Sequence, residues 1–224
     1  SIRDTEIEVQ SEELHLSGDD GRASAALRLQ LPRDDGLPVL ELSARGEDLK
    51  LSSTGKYVPG HRLSKKTLAW FDRAFVDGRI KSATFEMNGP IRLFPFRNGE
   101  GTFRARAEVE DAALAYHDAW LPATGIRGEV TFENARMVVR AQEAQVGMIS
   151  AQDVLAEIKD LKDVELTIAA RATGDLRAAL SFLRASPLEG VFAEQLKRLE
   201  GSGSFDAEVR LVLPIKHMHD RDVR

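Results

Sequence analysis

Few residues in this chain of 224 have types and spacing that could do chemistry. His217 and His219 could offer two imidazoles to a metal ion, but no third histidine lies nearby, and the pair reads as a solvated tail. Glu108 and Glu110 fall on one face of an expected strand, roughly 6.5–7 Å apart, which overlaps the carboxylate separation of an inverting glycosidase. Arg104 and Arg106 alternate along that same face, however, so the glutamates read as part of a solvated ladder of ion pairs. Tyr116, His117 and Asp118 are consecutive, point in different directions and make no relay. The chain has no cysteine and no phosphate-binding loop. No catalytic residue, cofactor or metal site is assigned, and function has to come from architecture.

The elements that would position any working surface are therefore the next question. The chain is long enough to bury a substantial core. Its apolar residues, 42% of the total, are mostly Ala, Leu, Val and Ile, while aromatics make up only 6%, too few for stacking platforms. Net charge is -5, with both signs interspersed, which argues against a grip on nucleic acid or on an anionic membrane surface. No run of about 18 apolar residues is present to span a membrane. The chain begins at Ser1 without Met and ends within a polar stretch at Asp222-Val223-Arg224, so it reads as a piece of a longer protein.

Period two dominates. Ala23, Ala25, Leu27, Leu29 and Leu31 alternate with Ser24, Ala26, Arg28 and Gln30, the pattern of a strand with one apolar face. A turn at Pro32-Arg33-Asp34-Asp35-Gly36 precedes a return strand, Val39 to Ala44. Further strands are expected at Phe103 to Val109, Ile126 to Phe132, Arg136 to Ala141, Val164 to Ala172 and Ser204 to Leu213, the last ended by Pro214. Glu110-Asp111, Glu133-Asn134 and Lys159-Asp160 read as short connections. Short links between one-faced strands mean an antiparallel meander, apolar on one side and charged on the other.

Three segments break the alternation. Ser64 to Asp77 reads as an amphipathic helix with Ser64 as N-cap, Leu68, Phe71, Ala74 and Phe75 as its apolar stripe, and Gly78 as its C-terminal stop. A second helix is expected over 175–185, capped at Gly174-Asp175, and a third over 190–199, ended by Gly201. No linker divides residues 1–224, which read as one continuous segment: 1–56 as the end of a preceding sheet portion and 57–216 as a core carrying the helices.

Within that core several short motifs follow in a fixed order. Tyr57-Val58-Pro59, Trp70-Phe71-Asp72-Arg73-Ala74-Phe75 with Gly78, and Asn88-Gly89 precede Phe94-Pro95-Phe96 and Gly101-Thr102-Phe103. Then come Val109 to Tyr116, Trp120-Leu121-Pro122, Gly128 to Phe132, Ala178 to Leu183 and Ser186-Pro187-Leu188. In this order and spacing the chain resembles the YhdP-like branch of the AsmA-like (AsmA/TamB/YhdP) envelope proteins, over about Tyr57 to Ile215. It departs from the family pattern at Phe71, where an aliphatic residue is more usual, and at Gly60-His61, where a second apolar-proline pair is.

The resemblance implies a mainly β fold with a few short helices, a curved antiparallel sheet whose concave face is an apolar groove, as in bridge-like lipid-transfer proteins (a β-taco). It implies a periplasmic piece of a Gram-negative protein anchored in the inner membrane by an N-terminal helix absent here, carrying phospholipid toward the outer membrane and maintaining its permeability barrier. The expected partners are phospholipid acyl chains and, through parts outside this chain, inner- and outer-membrane proteins; the piece itself is expected to be monomeric and not an enzyme. The groove residues expected from strand parity are Leu27, Leu29, Leu40, Leu42, Phe103, Val109, Val130, Phe132, Met137, Val139, Val164, Leu166 and Ile168. Small residues on the same faces, among them Ala23, Ala25, Ala105, Ala107, Ala170, Ala172 and Ala207, leave room that a close-packed sandwich would fill. The alternative is a structural or protein-interaction module of the envelope whose apolar face is filled by its own helices.

Overall fold

A computed structural model describes residues 2–3, 6–32, 35–57, 65–162, 165–187 and 201–214. The Ser64 cap, Val164, the helix expected over 190–199 and the His217/His219 pair lie outside these residues. Eleven strands form one sheet in chain order, every described pairing antiparallel. They are β1 (Ile2–Arg3), β2 (Glu6–Gly18), β3 (Gly21–Pro32), β4 (Val39–Lys50), β5 (Phe75–Pro90), β6 (Thr102–Leu114), β7 (Ala123–Glu133), β8 (Arg136–Val146), β9 (Ile149–Ile158), β10 (Glu165–Asp175) and β11 (Ser204–Pro214). The sheet is open and curved, and the meander expected from period two is present.

Three helices, α1 (Thr54–Tyr57), α2 (Lys65–Ala74) and α3 (Leu176–Ala185), lie in connections at one end of the strands. α3 starts where expected: the Asp175 side chain accepts a hydrogen bond from the Ala178 N–H at 3.1 Å, the usual N-cap arrangement. α2 is shorter than its sequence pattern. It ends at Ala74, and Phe75 already pairs with Leu114 in β5. Tertiary pairing captures Phe75, Val76 and Asp77, and the Ala74 carbonyl accepts from the Ala115 N–H at 2.8 Å. Gly78 is thus not a helix stop. It sits inside β5 at φ +120°, where a Cβ would stand 2.6 Å from the Ala112 Cα.

Gly78 belongs to a line of irregularities that crosses the sheet. Asp48 in β4, Asp111 in β6, Gly125 in β7 and Asp153 in β9 also have positive φ, and the registers shift between Val109 and Ala112, Thr124 and Arg127, and Ala169 and Arg171. Asp111 is therefore a bulge within a strand, not the connection its polarity suggested. Aspartate tolerates this conformation better than most residues, and each bulge bends its strand. Because the bulges are neighbours, the bends add up to one crease. Leu51, Ile80 and Ala112 are buried at the inner angle, with Phe75 from one side of the crease and Ala83 and Ala107 from the other packed on them. The apolar face is thus the inside of the bend.

The outside is charged and paired across strands. Arg28 meets Glu8, Arg106 meets Glu129, Arg136 meets Glu157 at 2.8 Å, and Arg171 meets Asp206 at 2.9 Å. Lys81 lies 3.5 Å from Glu108 and 3.7 Å from Glu110, so these two glutamates are members of an ion-pair ladder.

Replacing Gly78 by valine places a branched side chain at a positive φ against the β6 backbone. The expected cost is about 1–3 kcal/mol, lowering the melting temperature by roughly 2–12 °C in a calorimetric scan. The paired carboxylates set a pH response. Hydrogen bonds from Arg97 and Arg171 hold Asp160 and Asp206 below the usual carboxylate range. Burial raises the Glu129 carboxyl, but hydrogen bonds from Arg106 and Thr131 outweigh it and leave the group lowered as well. A depressed folded pKa gives stability that is present above the unfolded value, near 4, and lost as pH falls through the folded value. Melting temperature should stay flat from about pH 8 to 5 and fall below about pH 4, less steeply in an Asp160→Asn, Asp206→Asn double variant.

Candidate functional site

Residues opposite one another in a sheet share a face, so the strand registers trace the inner surface directly. One row runs Leu14, Ala25, Ala44, Phe85, Ala105, Phe132, Met137, Ile158, Leu166, Leu213, from β2 to β11. The next runs Leu16, Ala23, Gly46, Ala83, Ala107, Val130, Val139, Ala156, Ile168, Leu211. Every member of both rows is apolar. At about 4.8 Å per strand the rows extend roughly 43 Å across the sheet.

The sequence-expected residues fall on this surface in groups. Phe132, Met137 and Leu166 lie in the first row; Val130, Val139 and Ile168 lie in the second. Leu27 and Leu42 are opposite each other and lead through Met87 to Phe103; Leu29 faces Leu40; Val109 faces Gly128. Apart from Phe103, all of those in described positions are half-buried. Phe103 differs, being only 7% exposed beneath the β5–β6 connection.

That connection carries Phe94-Pro95-Phe96 and closes part of one rim. Phe96 is fully buried against Met87 and Phe103, with Leu40, Leu42, Phe85, Ala105 and Phe132 packed around them. Its ring leaves no room for side chains at Gly89 or Gly101, each of whose Cβ atoms would lie 2.9 Å from it. Of the two phenylalanines in this corner, Phe96 is the core anchor. Phe94 remains 45% exposed, with its ring 5.0 Å from that of Phe103. The Asn134 side chain fastens the rim, accepting from the Phe103 N–H at 2.8 Å and donating to the Phe96 carbonyl at 3.4 Å.

The opposite rim holds the helices. The Trp70 indole N–H donates to the Tyr116 carbonyl at 3.0 Å, and its ring meets Phe75 edge-on at 5.7 Å. Tyr116 lies 6.3 Å from Trp120, which lies 5.7 Å from Phe182 of α3. Burial raises the Tyr116 hydroxyl pKa and keeps that group neutral. His117 Nδ1 accepts from the Ala119 N–H at 3.0 Å and Asp118 binds Arg73 at 3.1 Å, so the consecutive trio is structural. This chain of aromatics joins α2, the β6–β7 connection and α3 along the rim.

An open sheet leaves a large surface. The chain exposes 15035 Å², against roughly 10000 Å² for a compact globular protein of its mass. Sequence parity missed several members of the inner face: Val9, Leu14 and Leu16 in β2, Phe85 and Met87 in β5, and Val154 and Ile158 in β9. A signal for them exists. At each bulge the apolar spacing lengthens from two to three, as in Gly46 to Leu49, Ile80 to Ala83, Val109 to Ala112, Ala141 to Ala144 and Ala151 to Val154.

No solved structure matches the chain. The intermembrane phospholipid transporter YhdP of Escherichia coli (strain K12) is 24% identical over 164 residues, covering 73% of this chain and 13% of that protein. The chain thus spans a small part of the length of this curated relative. A family model described as YhdP protein matches residues 1–224, the whole chain. With the motif order and the open, creased sheet, this match establishes that the chain belongs to the YhdP family.

Proposed function

We propose that this chain is one segment of a periplasmic trough that carries phospholipid between the two membranes of a bacterial envelope, with no catalytic residue of its own. The carrying observation is the pair of unbroken apolar rows from β2 to β11. An acyl chain gains about 0.8 kcal/mol for each methylene removed from water, so a conduit needs a continuous surface without polar interruptions. The arm from Ala83 to Pro90 in β5 is roughly 24 Å long, more than the ~15 Å depth of one hydrocarbon leaflet. Tails fit against Leu27, Leu29, Val109, Val130, Phe132, Met137, Val139, Leu166 and Ile168, with headgroups at the rims. Phe103 supports the wall beneath Phe96. Family membership and the activity named for the Escherichia coli relative support the same reading. The inner-membrane anchor and the contacts at each membrane belong to parts of the protein outside this segment.

Native mass spectrometry after expression in a bacterial envelope should find phospholipid bound to the chain. Leu29→Glu and Leu166→Glu should each remove at least about nine-tenths of it, since burying a carboxylate among acyl chains costs several kcal/mol, while leaving the circular dichroism spectrum unchanged. Leu155→Glu, on the charged face opposite Arg140 and Ala169, should retain lipid. A lipid-free wild type, or inner-face variants that simply unfold, would favour an interaction module with a closed core.

A further inference from the structure

On the helical rim a hollow of about 220 Å³ opens between the β6–β7 connection and the last turn of α3. It is smaller than a drug-sized pocket and of the scale of a headgroup. We propose that this hollow holds the ammonium end of a zwitterionic phospholipid headgroup, with Arg73 beside it for the phosphate; the inference rests on the lipid-trough reading and adds to it a headgroup class.

The lining is suited to a cation in three independent ways. Trp120 and Phe182 both line the hollow, their rings 5.7 Å apart and inclined at 53°, and aromatic faces attract alkylammonium groups. The C-terminal turn of α3 supplies the second, since helix C-termini carry partial negative charge, which the exposed Arg184 of the same turn shares. Its Leu183 carbonyl already accepts from the Ser186 N–H at 3.3 Å and hydroxyl at 2.9 Å, which fixes the lining at that point. The third is the Asp118 carboxylate, whose side chain is 77% exposed at the mouth. It is paired with Arg73 at 3.1 Å, and such an exposed pair is weak enough to share its charges with a ligand. An ammonium on Asp118 and a phosphate on Arg73 would reproduce the same alternation of charge. A headgroup ending in glycerol would bring no positive charge to Trp120, Phe182 and Asp118.

Two experiments separate this site from the trough. In the first, O-phosphoethanolamine and glycerol 3-phosphate are titrated into the chain while the tryptophan indole N–H signals are followed by NMR. The Trp120 signal should shift with phosphoethanolamine and at least about fivefold more weakly with glycerol 3-phosphate, and the Trp70 signal should stay in place. In the second, the chain is equilibrated with equal amounts of phosphatidylethanolamine and phosphatidylglycerol bearing identical acyl chains, and bound lipid is weighed by native mass spectrometry. The wild type should favour phosphatidylethanolamine by about fivefold, Trp120→Leu should bring the ratio near unity, and Asp118→Asn, which frees Arg73 for anions, should reverse it. A ratio of unity in the wild type with lipid bound overturns the headgroup site and leaves the trough intact. A preference that persists in both variants overturns the site equally. A Trp120 shift without any bound lipid overturns the trough while supporting an ammonium site.

Discussion

Register is the constraint on which the rest of this molecule depends. Side chains in a strand alternate with period two, so a slip of one residue between any two strands would turn every apolar side chain beyond it to the charged face. The inner rows survive from β2 to β11 only because each pairing is held. Ion pairs on the outer face, such as Arg136 with Glu157 and Arg171 with Asp206, join the same registers that the inner face needs. Each exposed pair contributes little to stability.

Bulges threaten that order, since each one reverses facing along its own strand. Here they are compensated by position. Asp111 in β6 stands near Gly78 in β5, and Asp153 in β9 lies close to the shift at Ala169 to Arg171 in β10. Strands β4 to β9 change parity along one line, β3, β10 and β11 keep period two throughout, and apolar stays opposite apolar on both sides of the line. The same line bends the sheet, so one device both keeps the inner face apolar and makes it concave. Much of what the bend encloses stays half-buried, while Ile80, Met87, Phe103, Ala112 and Ile158 are buried. Loops and helices gather at the two rims, with Phe96 wedged at one and the Trp70–Tyr116–Trp120–Phe182 chain at the other. A sandwich would cover such a face with a second sheet; among the described residues none does so.

Much of the candidate surface was legible in the chain. The alternation of Leu27 with Leu29, of Val130 with Phe132 and of Leu166 with Ile168 gives both strand and face, because burial on one side leaves a local imprint of period two. β9 was not legible, because Asp153 breaks the alternation of Ile149, Ala151, Val154, Ala156 and Ile158 at its centre. Asp111 looked like a turn for the same reason: an isolated aspartate between apolar residues carries the same local signal in a hairpin and in a bulge. The α2 pattern ran past its true end because Phe75 satisfies a helical stripe as well as a strand pair, and only Leu114 across the sheet decides between them.

The sequence by itself determined that this is an antiparallel meander with one apolar face, and its motif order pointed to the family. These properties are local or additive, so they can be read one residue at a time. Only the tertiary structure decided that the bulges fall into one crease, that the apolar side is its inside, and that Phe103 and Met87 lie covered while Leu27 and Leu42 of the same row stay half-buried. Each of those depends on residues far apart in the chain meeting: Phe96 beneath the Asn134 hairpin, Gly78 against Ala112, Trp120 on Phe182. No spacing along the chain encodes such meetings, because they follow from where whole strands are carried once the sheet has bent.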